Sequence, residues 1–158
     1  MAHGSPVAIL SVQHPDRNQG MSSQAQANLR VLVIDDDKSI RSTLTVCLEG
    51  FGYEVVGVGS GEAARGALAR APFDFAFLDL RLGTESGLEL IPALLALRPN
   101  LSIVVITAYA TFDTAVQAVQ RGAEGYLPKP FAPAQVRHAV DEVLQRRTLR
   151  GRVAALER

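Results

Sequence analysis

Cysteine is nearly absent from this chain: Cys47 is the only one, which excludes an internal disulfide framework and a thiolate metal cluster. Cys47 falls on the apolar stripe of a helix and reads as core packing. Histidine is scarce too, and His3, His14 and His138 lie far apart with no metal-ligand spacing, so none is a candidate metal ligand or catalytic residue. Long hydrophobic runs are missing. The apolar run nearest the start, Pro6 to Leu10, is too short for a signal-peptide core or a membrane span, and the expected compartment is the cytoplasm. An excess of one charge is also lacking, with 16 basic and 16 acidic residues. From Pro133 onward Arg137, Arg146, Arg147, Arg150, Arg152 and Arg158 face only Asp141, Glu142 and Glu157, a local balance of +3 that leaves −3 on the remainder. That is not the concentrated basic face that nucleic-acid binding requires.

What is present suits a chain that buries a core: 47% of residues are hydrophobic and 20% charged over 158 residues, the size of one domain with spare length. Residues 1–28 are rich in Ser, Gln, Ala, Asn and Gly without a hydrophobic period and read as a disordered extension; Met21 offers an alternative start. Order is expected from Leu29. Val31-Leu32-Val33-Ile34 is an apolar strand stopped by Asp35-Asp36-Asp37, and a helix follows with Ile40, Leu44, Cys47 and Leu48 on one stripe. Tyr53 to Val58 reads as the second strand and Glu62 to Arg70 as a short Ala-rich helix.

Phe73 to Leu78 is apolar at five positions of six and delivers Asp79 to its end, as a strand buried on both faces would. Arg81 to Gly87 reads as a loop. Leu88 to Leu97 has helical spacing, with Pro92 one turn in, so a late start or a kink is expected. Leu101 to Ile106 is a fourth strand ending at Thr107. Thr111 to Arg121 is a helix expected to face the core through Ala115, Val116 and Val119. Gly125-Tyr126-Leu127 is a fifth strand before Pro128-Lys129-Pro130, and the last helix starts at Pro133 and runs through Val136, Val140, Val143 and Leu144.

Five strands alternating with five helices predict an α/β fold, a parallel sheet covered on both faces, with the flavodoxin-like order 2-1-3-4-5 as the natural arrangement for this count. In that order the strand ends carrying Asp35 and Asp36, Asp79, Thr107 and Lys129 lie side by side. Crowded carboxylates repel one another unless a cation sits among them, and a few oxygen ligands suit Mg²⁺ completed by water and phosphate oxygens. Carboxylates, a divalent cation, a lysine and a hydroxyl form a site for phosphoryl transfer. Asp37 is set apart as the cap of the first helix.

The segments Asp35-Asp36, Phe77-Leu78-Asp79-Leu80, Ile106-Thr107-Ala108 and Tyr126-Leu127-Pro128-Lys129-Pro130-Phe131 occur in an order and spacing that resembles the receiver domain of two-component response regulators. The resemblance covers residues 29–147, and residues 148–158 read as a linker or coiled-coil-like extension carrying Leu149, Val153 and Leu156. It implies that Asp79 accepts a phosphoryl group from a sensor histidine kinase. It also implies Mg²⁺ held by Asp36, Asp79 and the backbone carbonyl of Arg81, with Asp35 acting through water. Lys129 would pair with the phosphoryl oxygens across a cis Lys129-Pro130 peptide. Thr107 and the amide of Ala108 would bind the phosphoryl group, and Tyr126 would swing inward to reshape the surface of the fourth helix, fifth strand and fifth helix. Arg81 and Tyr109 stand where such domains vary, and their bulk is expected to screen the acyl phosphate from water. The domain would not be an enzyme beyond its own phosphotransfer and slow autodephosphorylation.

The chain is most similar in look to receivers of sigma-54-dependent, nitrogen-regulator-type transcription activators. This implies covalently linked AAA+ and DNA-binding domains elsewhere and a phosphorylation-dependent homodimer; a stand-alone receiver acting by protein contact is the alternative. Two rival motifs stay weaker. Gly57-Val58-Gly59-Ser60-Gly61 imitates a dinucleotide loop, but Glu62 occupies the third-glycine position, so a turn is the better reading. Asp35-Asp36-Asp37 also resembles the nucleophile motif of haloacid-dehalogenase-type phosphatases with Asp35 attacking, yet the later strands end in Thr107 and Lys129 rather than in further acids.

Overall fold

The computed structural model describes residues 29–156, with side chains to residue 150; the amino-terminal extension expected at 1–28, and the side chains of Val153 and Leu156, lie outside the described residues. Strands β1 (Arg30–Ile34), β2 (Glu54–Val58), β3 (Phe75–Asp79), β6 (Ser102–Thr107) and β7 (Gly125–Pro128) form one sheet in the order β2-β1-β3-β6-β7. Every pairing in it is parallel. Helices α1 (Lys38–Gly50), α2 (Gly61–Arg70), α3 (Gly87–Leu97), α4 (Phe112–Gln120) and α5 (Pro133–Leu156) connect and flank the strands. The flavodoxin-like order expected from the sequence is the one observed.

Alternation along the central strands sorts the core into two layers. Leu32, Ile34, Ala76, Leu78, Ile103 and Val105 point to one face, where α2, α3 and Ala118 of α4 cover them. Val31, Val33, Phe75, Phe77, Val104 and Ile106 point to the other, against Leu44 and Leu48 of α1 and Val136, Val140 and Val143 of α5. A strand covered on both sides has no position for a polar residue until it emerges. The polar residues therefore collect at the ends.

Three local expectations need correction. The segment after Asp79 is no open loop: β4 (Arg81–Leu82) and β5 (Glu85–Ser86) pair antiparallel as a small ribbon. Helix α3 does not start late, because it begins at Gly87 with Pro92 inside it; Pro92 is exposed, so water can reach the side of the helix where an amide is missing. Helix α4 faces the core through Ala118, with Ala115 half-buried, while Val116 and Val119 point outward, 37% and 61% exposed. They share a stripe with Phe112, which is 83% exposed. Apolar spacing marks a helix face without saying which side the sheet lies on. Among the described residues no helix is long and apolar enough to cross a membrane.

Candidate functional site

Register brings the acidic residues together. Ile34 pairs with Leu78, so the next residues, Asp35 and Asp79, leave adjacent strands side by side. Asp79 in turn pairs with Ile106, the residue before Thr107, and Thr107 pairs with Pro128, the residue before Lys129. One carboxylate oxygen from each of Asp35, Asp36 and Asp79 lies within 4.8 Å of the others. The Lys129 ammonium reaches Asp35 Oδ2 at 2.7 Å and Asp79 Oδ2 at 3.0 Å, and the Lys129-Pro130 peptide is cis. Asp36 is exposed and accepts the Gly83 amide at 3.0 Å. Asp37 caps α1, accepting from the Ser39 amide.

The two buried acids differ in what they can do. Asp35 is fully buried, its Oδ1 taken by the Asp37 amide at 2.9 Å and its Oδ2 by Lys129. Burial pushes its carboxyl above the ordinary range and the charge of Asp79 adds to this, against the hydrogen bonds from Lys129 and the Asp37 amide. Burial alone would lower Lys129, but its hydrogen bonds to Asp35 and Asp79 outweigh it and hold the ammonium firmly protonated. Asp79 keeps a side-chain exposure of 10% against 0% for Asp35, with the Arg81 amide on its Oδ1 at 3.2 Å. Both acids have each oxygen engaged, so what separates them is access: Asp35, fully enclosed, is the poorer nucleophile for an incoming substrate, which weighs against the phosphatase reading. Three hard oxygen donors, one of them exposed, fit a small divalent cation.

Around this pocket Thr107 is buried, and its hydroxyl oxygen accepts the Tyr109 amide at 3.1 Å. That bond uses a lone pair and leaves the hydroxyl hydrogen available to a further acceptor. Ala108 is exposed beside it. The Arg81 guanidinium stacks over the Tyr109 ring, 3.5 Å from its centroid. Tyr126 is half-buried, and its hydroxyl meets Thr114 Oγ1 at 2.9 Å.

The sequence model of the response regulator receiver domain matches residues 31–141. This chain belongs to the response regulator receiver family. The alginate biosynthesis transcriptional regulatory protein AlgB of Pseudomonas aeruginosa is 40% identical over 137 residues, 87% of this chain and 30% of AlgB. The DNA-binding transcriptional regulator NtrC of Azospirillum brasilense is 39% identical over 118 residues, 75% of this chain and 24% of NtrC. The receiver thus spans less than a third of the length of these curated relatives. A crystal structure of a response regulator protein from Burkholderia pseudomallei, with a phosphorylated aspartic acid, calcium ion and citrate, superimposes with a TM-score of 0.68 at 38% identity, covering 78% of this chain and 75% of that one.

Several residues of this receiver site escaped sequence reasoning. Thr114 holds Tyr126 and also closes the capping box with Thr111 at the start of α4. Arg41 donates to the Asp35 carbonyl at 2.8 Å, its side chain lying against Gly57 and Gly59, so the glycines that imitate a dinucleotide loop make room for a guanidinium. Glu85 reaches the first amide of α2. None of these contacts leaves a periodic signal.

The ion pair has a measurable consequence. Lys129→Met leaves Asp35 buried without its cation, and the expected loss of stability is about 3–5 kcal/mol at neutral pH. A carboxyl whose folded pKa lies above its unfolded value binds more protons when folded, so stability falls as pH rises through that value. Urea unfolding of Lys129→Met should therefore show a deficit that shrinks on acidification through the raised Asp35 value; a deficit independent of pH would contradict this.

Proposed function

We propose that this receiver is a phosphorylation switch in which Asp79 takes a phosphoryl group from a phosphohistidine of a sensor histidine kinase. The observation that carries this reading is Lys129 bridging Asp35 and Asp79 at the mouth of a pocket where a third carboxylate, Asp36, stays exposed. An Asp79 carboxylate oxygen forms a bond to phosphorus as the phosphorus–nitrogen bond breaks, and the imidazole nitrogen keeps the electron pair. Lys129 stands within hydrogen-bond reach of the attacking carboxylate and can follow the charge onto the phosphoryl oxygens. Thr107 donates its free hydroxyl hydrogen, and the Ala108 amide adds a second donor. Asp36, Asp79 and the Arg81 carbonyl would hold Mg²⁺, with Asp35 acting through water. Bound there, the ion supplies neutralisation of the phosphoryl oxygens without proton transfer.

Tyr126 is the readout. Its hydroxyl is tied to Thr114 at the start of α4, so an inward swing into space vacated by Thr107 has to break or drag that bond, which couples the pocket to the α4, β7 and α5 surface. That surface offers Phe112, Val116 and Val119 to a second copy. The similarity to AlgB and NtrC, both transcriptional regulators, supports transcription activation as the output, carried by AAA+ and DNA-binding domains of a longer cytoplasmic protein. In this reading residues 29–147 are the receiver, and the part of α5 beyond residue 147, where Leu149 is exposed, begins the linker. The receiver itself contacts neither nucleic acid nor membrane.

Asp79→Asn should fold normally, by circular dichroism, and take no label from a small phosphodonor, while borohydride reduction of the labelled wild type should mark Asp79. Label at Asp35 would overturn the assignment. The Arg81–Tyr109 stack is expected to shield the acyl phosphate from water. Arg81→Ala or Tyr109→Ala should shorten its lifetime by a factor on the order of ten, about 1.4 kcal/mol of barrier; unchanged decay rates in both would remove that role. Beryllofluoride with Mg²⁺ should shift the protein to a dimer by light scattering, and Phe112→Ser should prevent the shift. A monomer in both states would exclude this face as a phosphorylation-dependent dimer contact.

A further inference from the structure

The ribbon that follows Asp79 is tied down from three directions. At its base the Arg81 amide donates to Asp79 Oδ1 at 3.2 Å and the Gly87 amide to the Leu80 carbonyl at 2.9 Å. At its tip the Gly83 amide donates to Asp36 Oδ2 at 3.0 Å. From the side comes Glu85, the half-buried residue opposite Leu82 in the ribbon. Its Oε1 accepts the Gly61 amide at 2.9 Å, and its Oε2 meets Arg65 Nη1 at 3.3 Å.

The Gly61 contact is the informative one. Gly61 is buried and opens α2, whose N-cap Ser60 takes the Ala63 amide on its hydroxyl and the Ala64 amide on its carbonyl, leaving the Gly61 amide to another partner. A buried helix amide without a partner is costly, and Glu85 is what satisfies this one, 24 residues away in sequence. The carboxylate also sits at the positive end of the helix. A Cβ on Gly61 would come within 2.2 Å of Glu85 Oε1 and 2.5 Å of Oε2, so the glycine leaves the space that the carboxylate fills. The two residues form a matched latch.

What the latch holds is the segment whose backbone meets the acidic pocket: the Arg81 carbonyl, the Arg81 amide on Asp79 and the Gly83 amide on Asp36. A divalent cation arriving at Asp36 competes with the Gly83 amide for that carboxylate, leaving Glu85 as the side-chain tie that anchors the ribbon beyond its base. We propose, on the reading of Asp79 as phosphoacceptor, that Glu85 is a positioning residue. By capping α2 it sets the ribbon from Arg81 to Ser86 and thereby tunes the affinity of the pocket for Mg²⁺ and the lifetime of the phosphorylated state.

The test uses the full chain with Glu85→Ala, Glu85→Gln, Gly61→Ala and the double variant Glu85→Ala/Gly61→Ala. Three quantities are read: Mg²⁺ affinity by calorimetry, exchange of the Gly83 and Gly87 amides without metal, and decay of the acyl phosphate after loading with acetyl phosphate. Glu85→Ala and Gly61→Ala should each weaken Mg²⁺ binding by about tenfold, the lower range for groups that orient metal ligands, and speed exchange in the ribbon. The double variant should be no worse than either single one, because both break the same contact. Glu85→Gln keeps an acceptor for the Gly61 amide and should recover most of the affinity. A folded Glu85→Ala with wild-type Mg²⁺ affinity and exchange, a loss confined to the melting temperature, or additive effects in the double variant would each overturn the latch. A wild type that binds Mg²⁺ but takes no phosphate at Asp79 would instead refute the phosphoacceptor reading, and the Mg²⁺ and exchange measurements would still decide the latch.

Discussion

A lysine ammonium shared between two carboxylates is the constraint on which the rest of this receiver depends. Asp35 is fully enclosed and Asp79 nearly so, and an isolated carboxylate in either place would cost several kcal/mol. Lys129, one residue past the last strand of the sheet, reaches both at 2.7 and 3.0 Å. The arrangement is still unbalanced: Asp36 adds a third negative charge nearby, and burial continues to push Asp35 upward. A site left short of positive charge is suited to a divalent cation.

The ion pair requires the sheet to be built as it is. Asp35, Asp79 and Lys129 come from strands separated by up to 94 residues, and they meet because parallel pairing in the order β2-β1-β3-β6-β7 delivers successive carboxyl ends to one edge. The apolar strands supply the stability, and the edge is where that stability can support crowded charge. Arg41 reinforces the same edge from the other side, holding the Asp35 carbonyl.

Two attachments flank this centre. Tyr126, on the strand that leads to Lys129, is joined to the start of α4 by its bond to Thr114, and α4 is shallowly seated, with only Ala118 fully buried in its helix. The ribbon after Asp79 links the pocket to α2 through Glu85 and Gly61. Helix α4 leaves Phe112 and Val119 exposed, whereas the ribbon is tied to a helix that buries Gly61, Ala64, Ala67 and Leu68.

Much of this was legible in the residues. Continuous apolar runs ending in Asp35, Asp79 and Thr107 mark buried strands and their exits, and alternation with helical segments implies the parallel sheet and its order. The four site residues Asp35, Asp36, Asp79 and Lys129 follow, since strand ends in such a sheet share an edge. What stayed hidden has one physical cause. The outward face of Val116 and Val119, the ribbon after Asp79 and the bonds of Glu85 to Gly61 and Thr114 to Tyr126 depend on how separate segments pack together. Local periodicity carries the identity of an element and the polarity of its ends. Which face turns inward, and which polar group meets a partner dozens of residues away, is decided only when the layers close and every buried amide and carboxylate must find its neighbour.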